Sequence, residues 1–271
     1  MISLNSTTKK PTSSREPSPT IPKEASALTT SKNRPLVSLC FETDPDFAKN
    51  LDRLLTLIDQ APEDAIIVAP EVALSGFAYD RFEEAATFTP IALEKLLGCI
   101  KNRLLIFTAI TQENGSFYNI AYVLHNGAIL HRQAKVKLFT LGAEHEHFSA
   151  GKEGDITSFD FEGIKMGILI CFELRFKTLW QRLEGCDIIA VPAQWGKLRA
   201  DHFQTLTTAL AIMNQCYVIA SDAANVDTTA LSGIITPFGG EIRNSGVDTL
   251  TSHYEKRTVE SMRRYLNVGI E

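Results

Sequence analysis

A chain of 271 residues, 44% hydrophobic and 22% charged, has the length and composition to bury a full globular core. A net charge of -5, with Lys and Arg scattered, argues against a nucleic-acid partner, which would present a basic stripe. No apolar run approaches the roughly 20 residues of a membrane-spanning helix, so no membrane partner is expected. The 5 cysteines (Cys40, Cys99, Cys171, Cys186 and Cys216) are widely spaced without a Cys-x-x-Cys pair, which predicts reduced thiols in a cytoplasmic setting.

Residues 1–34 are rich in Ser, Thr, Pro and Lys and have almost no aliphatic run, so a disordered tail is expected. They also lack the apolar centre of a signal peptide. The folded domain is expected over 35–271. It opens with a strand at Leu36 to Phe41. Phe47, Leu51, Leu54, Leu55 and Ile58 recur at helical spacing and predict an amphipathic helix. A buried strand follows at Ala65 to Ala69, then a helix from Pro90 to Lys101 and a strand from Leu104 to Ile110. Tyr118 to Leu124 and Ala128 to His131 flank Asn126-Gly127, a strong hairpin signal. Further strands are predicted at Lys165 to Ile170, Asp187 to Val191 and Tyr217 to Ser221. Helices lie between them at Leu174 to Leu183, closed by Gly185, and at His202 to Asn214. A second hairpin joins Ser232 to Thr236 with Glu241 to Arg243. Apolar strands alternating with helices, broken by hairpins, predict an α/β fold with mixed sheet covered by helices.

Three predicted strands end in chemically suggestive residues: Pro70-Glu71, Cys171-Phe172-Glu173 and Pro192-Ala193-Gln194-Trp195. Ligands of α/β sheets bind beyond the carboxyl ends of strands. At a strand-to-helix junction, free N–H groups and the helix dipole would stabilise a Cys171 thiolate, the reactive form. Position alone leaves Glu71 open between a structural carboxylate and a general base, and leaves Lys135 open between a surface lysine and a site lysine, with Lys137 as its competitor. Cys171 by itself could be a small buried hydrophobe, as the other cysteines are read. Glu144-His145-Glu146-His147 could suggest a metal site if an extended strand put both rings on one face, but no third ligand stands out, so no metal or organic cofactor is expected.

Taken together, Ala69-Pro70-Glu71 with Ser75-Gly76-Phe77, Lys135-Val136-Lys137-Leu138-Phe139, and Ile170-Cys171-Phe172-Glu173-Leu174-Arg175-Phe176 resemble the three signature segments of the nitrilase, or carbon–nitrogen hydrolase, superfamily. Order and spacing match over essentially everything after Pro35, and Tyr118-Asn119 and Thr236-Pro237 to Gly240-Glu241 look like further landmarks. The resemblance implies a four-layer αββα sandwich, with Glu71 as general base, Lys135 as catalytic lysine, Cys171 as nucleophile and Glu144 assisting. Phe172, Gln194 and Trp195 would line the substrate site. The implied activity is hydrolysis of a small aliphatic amide through a Cys thioester. The short connection Lys135 to Gly151 resembles that of omega-amidase-like members, which act on side amides of 2-oxo dicarboxylates. An N-carbamoyl hydrolase, a nitrilase and a non-catalytic binding protein on the same fold stand as alternatives. A substrate carboxylate would need a cation, for which Arg175, Lys197 and Arg199 are the candidates. The family's assembly implies a homodimer. This chain departs from the pattern at Lys177, where a proline is usual, and at Leu210 and Met213, where the family carries an Arg and a Glu.

Overall fold

The computed structural model describes residues 33–244 and 247–270. The tail expected over 1–34 lies outside them except for Asn33 and Arg34, and Arg34 already opens the first strand. In chain order the strands and helices are β1 (Arg34–Leu39), α1 (Phe47–Gln60), β2 (Ile66–Val68), α2 (Phe82–Cys99), β3 (Leu104–Glu113), β4 (Ser116–His125), β5 (Ala128–Ala134) and α3 (Glu144–His147). They continue with β6 (Phe159–Phe161), β7 (Ile164–Ile168), α4 (Lys177–Arg182), β8 (Ile188–Ala193), α5 (Ala200–Met213), β9 (Tyr217–Asp222), β10 (Gly233–Ile235), β11 (Glu241–Arg243), β12 (Thr249–Tyr254) and α6 (Lys256–Tyr265).

The strands form two 6-stranded mixed sheets, ordered β12-β1-β2-β3-β4-β5 and β11-β10-β9-β8-β7-β6. Side chains alternate between the faces of a strand, and the sequence uses that period to build layers. Leu36, Ile66, Val68, Leu104, Ile106, Ala121 and Val123 of the first sheet pack into one core with Met166, Ile168, Ile188 and Ile219 of the second. Their neighbours Val37, Ile67, Leu105, Phe107 and Leu124 point the other way and pack against Leu51, Leu54 and Ile58 of α1 and Ala92 and Leu96 of α2. Leu179 of α4 and Phe203, Leu210 and Ala211 of α5 join the core of the second sheet. The result is the expected helix–sheet–sheet–helix sandwich. Some polar groups between the sheets bridge them, as where the Ser38 hydroxyl donates to the Ala220 carbonyl at 2.7 Å.

Several elements differ from the expectation. Pro90, read as a helix start, lies inside α2, which begins at Phe82. A proline is favoured in a first helical turn, but buried Phe82, Ala85 and Ala86 anchor about two turns ahead of it. The helix expected from Leu174 to Leu183 is broken into a 3₁₀ turn (Cys171–Arg175) and the six-residue α4. Two further hairpins turn through Asn114-Gly115 (φ 50° and 80°) and Glu162-Gly163 (φ 50° and 79°), the positive-φ pairs that two-residue turns need. Strand β12 pairs antiparallel with β1, Arg34 opposite Tyr254, and closes the edge of the first sheet. Among the described residues no helix is long and apolar enough to cross a membrane.

Candidate active site

Strands β1, β2 and β3 are parallel, β4 is antiparallel to β3, and β5 is antiparallel to β4. Strands β7, β8 and β9 are parallel in the second sheet. Glu71 lies just beyond the end of β2, Lys135 follows β5, Cys171 lies just beyond β7 and Gln194 follows β8. The architecture therefore delivers all four from carboxyl ends of strands, the place where α/β sheets bind ligands. Cys171 and Gln194 line a pocket of about 390 Å³ with Glu144, Phe172, Trp195 and Arg175 among others, and the buried Glu71 and Lys135 connect to that lining through Gln194 and Glu144.

Lys135 is wholly buried and sits between two carboxylates, 2.7 Å from Glu71 Oε1 and 2.8 Å from Glu144 Oε1. Burial alone would pull its ammonium down, but the charges of Glu71 and Glu144 outweigh that and hold it above the ordinary lysine value. Asn119 donates to Glu71 Oε1 at 2.7 Å, and the Gln194 N–H donates to Oε2 at 3.2 Å. Glu144 reaches the cluster because α3 turns its buried side chain inward, where Oε2 also accepts the Phe139 N–H at 3.0 Å. Burial pushes the Glu144 carboxyl up; Lys135 opposes that shift and Glu71 adds to it.

Cys171 corrects one expectation. It opens a five-residue 3₁₀ turn rather than a long helix, so the helix dipole expected to ionise it is small. Burial, helped by the Glu71 charge, raises its thiol well above the ordinary cysteine value, and Lys135 offsets only part of that. At rest the Cys171 side chain is a neutral thiol beside a carboxylate. Its backbone is left-handed (φ 46°), as is Val72 (φ 45°) directly after Glu71. Such conformations cost non-glycine residues of order 1–3 kcal/mol and persist where surrounding structure holds them. At Val72 the holder is Thr108, whose hydroxyl accepts the Val72 N–H at 2.7 Å.

The expected site residues Glu71, Lys135, Glu144, Cys171, Phe172, Gln194 and Trp195 are all brought together here. Lys137 is not among them; it pairs with Glu153 away from the pocket. Of the candidate cations, Arg175 and Arg199 line the pocket, whereas Lys197 is exposed outside it. The Glu-His-Glu-His segment is helical, not extended, so its two histidines diverge around the axis. His147 stacks on Tyr79 with centroids 4.4 Å apart, and no metal-holding group exists among the described residues.

Sequence reasoning missed Asn119 as a site residue, although a lone amide inside the apolar run of β4 was the available signal. It also missed Phe77, Tyr79 and Phe139, which supply an aromatic wall, and Asp222. Asp222, wholly buried, accepts the Trp195 N–H at 2.7 Å through one oxygen and the Thr229 N–H at 3.1 Å through the other. It thereby ties together two loops of the pocket. Burial is the main cause pushing its carboxyl up to about 7, against the pull of those hydrogen bonds. The folded state thus holds the proton more tightly than the unfolded chain. The associated stability is fully present below the ordinary value of 3.8 and is lost as pH rises through about 7. Thermal melts should show Tm falling between pH 4 and pH 8, and a shallower fall in Asp222→Asn; equal slopes would remove Asp222 as the source.

A scan against family models matches residues 35–249 to the carbon–nitrogen hydrolase model. The chain belongs to the carbon–nitrogen hydrolase family. Among curated members of this family, a 2-oxoglutaramate amidase from Bacillus subtilis is 28% identical over 223 residues, covering 76% of this chain and 85% of the relative. An omega-amidase from Yersinia enterocolitica is 30% identical over 184 residues, covering 67% and 71%. Among solved structures, a carbon–nitrogen hydrolase superfamily protein from Xanthomonas campestris with an arsenic adduct in its active site aligns with a TM-score of 0.76. It is 21% identical, over 86% of this chain and 95% of the other, and supports the fold alone.

Proposed function

We propose that this carbon–nitrogen hydrolase cleaves the amide bond of a small substrate carrying a carboxylate, through a thioester on Cys171. One observation carries the reading. A buried thiol, an ammonium and two carboxylates meet beside a pocket that also contains two guanidinium groups, neither in an ion pair among the described residues. The 2-oxoglutaramate amidase and omega-amidase relatives support a dicarboxylate monoamide such as 2-oxoglutaramate.

In this mechanism Glu71 takes the thiol proton as Cys171 sulfur attacks the amide carbonyl. A neutral thiol with a carboxylate at hand suits a transfer coupled to attack. The oxyanion is met by Lys135 Nζ and by the N–H of Phe172, one of the donors that the start of a helical turn leaves free. Each such donor contributes roughly 3 kcal/mol. Collapse of the tetrahedral species breaks the carbon–nitrogen bond, and Glu71 passes its proton to the departing ammonia. Water then yields a proton to Glu71 and its oxygen attacks the thioester; Glu144 steadies Lys135 throughout. Breakdown releases the acid and returns the proton to the thiolate.

The arginines support the charged substrate. Arg175 lies over the Trp195 ring at 4.9 Å and shares a 3.0 Å hydrogen bond with His202, while Arg199 lies over the Phe139 ring at 5.0 Å. Neither has a carboxylate partner among the described residues. Burial and the nearby charge of Arg199 pull Arg175 below the ordinary arginine value, a repulsion that an anion would relieve. A charged hydrogen bond of about 1.5–3 kcal/mol corresponds to roughly 10–100-fold in kcat/KM. Ammonia release from 2-oxoglutaramate should therefore exceed that from butyramide by at least about 100-fold. Arg175→Gln and Arg199→Gln should each remove about 10-fold or more of that advantage, mainly through KM. Equal turnover of charged and neutral amides would overturn the carboxylate reading.

A further inference from the structure

Glu173 is fully buried, carries no role in the chemistry above, and makes two short hydrogen bonds. Its Oε1 accepts the Val136 N–H at 2.6 Å, and its Oε2 accepts the Ile170 N–H at 2.6 Å. Val136 is the residue after Lys135, and Ile170 is the residue before Cys171. A single carboxylate thus links the segment that carries the ammonium to the turn that carries the thiol, across two sheets that have no shared strand.

We propose that Glu173 is the positioning residue of the site: by holding these two N–H groups at once, it fixes the Lys135–Cys171 geometry and keeps Cys171 in its left-handed conformation. This rests on the reading of Cys171 as nucleophile. The arrangement needs both oxygens as acceptors. Each N–H sits beside a residue whose side chain must meet the same carbonyl group, so a slip in either displaces a reacting atom. The turn itself adds a constraint, because the Glu173 N–H donates back to the Ile170 carbonyl at 3.0 Å. Side chain and backbone of one residue therefore clasp Ile170 from both sides, immediately before the strained Cys171. Burial pushes the Glu173 carboxyl up to about 7 despite those bonds and the favourable Lys135 charge, with Glu71 as the opposing neighbour.

Glu173→Gln keeps the volume but turns one acceptor into a donor facing an N–H. Glu173→Asp keeps the charge but is too short to reach both groups. The test compares iodoacetamide alkylation of Cys171 with that of the exposed Cys99 in the same molecule, read by peptide mass, alongside kcat and KM for 2-oxoglutaramate. We expect the Cys171-to-Cys99 rate ratio to fall about 10-fold or more in Glu173→Gln, with an intermediate fall in Glu173→Asp. Misplacement of reacting groups by about 1 Å costs roughly 100-fold in rate, so kcat should fall by that order while KM changes less than about 3-fold. A folded variant with an unchanged ratio and kcat overturns the proposal, as does a fall in Tm with neither rate affected. Should Glu173→Gln not fold, the Asp variant decides by the same ratio. The ratio does not depend on any amide being turned over. An inactive wild type with a Glu173-dependent ratio would refute the amidase reading and leave the positioning role standing.

Discussion

Cys171→Ala should lose amide hydrolysis by about 10⁴-fold or more while remaining folded. Loss of a nucleophile in a covalent mechanism removes most of the rate, leaving what binding and oxyanion donors supply. Folding should survive because the resting thiol is neutral, so its removal leaves the ion pairs of Lys135 with Glu71 and Glu144 unchanged. The expected stability change is about 1 kcal/mol, the ordinary cost of trimming a small buried group. Rapid acid quench of the wild type with substrate should trap an acyl adduct on the Cys171 peptide. Cys186 and Cys216 are fully buried in the core, with thiols raised by burial, Cys186 to about 12. An adduct on either, or wild-type turnover by Cys171→Ala, would end the nucleophile assignment.

The assignment was readable because each signature residue sits in its own short motif at a strand end. Apolar runs of four or five residues announced β2, β7 and β8, and the polar residues that interrupt them are the ones the pocket uses. What the sequence concealed depends on long-range geometry. No local pattern says that Cys171 enters a five-residue 3₁₀ turn, because the apolar spacing from Leu174 to Leu183 reads as one continuous helix. The dipole argument built on that helix failed with it, and burial beside Glu71 took its place. The clasp formed by Glu173 was equally invisible, since its partners Val136 and Ile170 are backbone groups, one of them 37 residues away. Pro90 misled for the opposite reason: a strong local signal was overridden by packing of the turns before it.

Lys135→Met should be the single change to the site most damaging to stability, and it should cost activity as well. The variant keeps the apolar stem and removes only the ammonium between Glu71 and Glu144. Removing one partner of a buried ion pair costs about 3–5 kcal/mol, because the charges left behind have neither water nor a counter-ion. Two buried carboxylates without the cation repel, and one of them must take a proton to remain inside. Its folded-state affinity for that proton then exceeds the unfolded one. The stability this confers is present at low pH and is lost as pH rises through the raised folded value. Melts of Lys135→Met should accordingly show a larger Tm deficit at pH 8 than at pH 5. A pH-independent deficit would mean that the carboxylates find another partner. Activity should fall by at least about 10³-fold at either pH, with one oxyanion donor gone and Glu71 forced to share a proton that it must otherwise accept. Low pH should therefore restore the fold of this variant without restoring turnover, and recovery of both together would argue that Lys135 holds the site's structure alone.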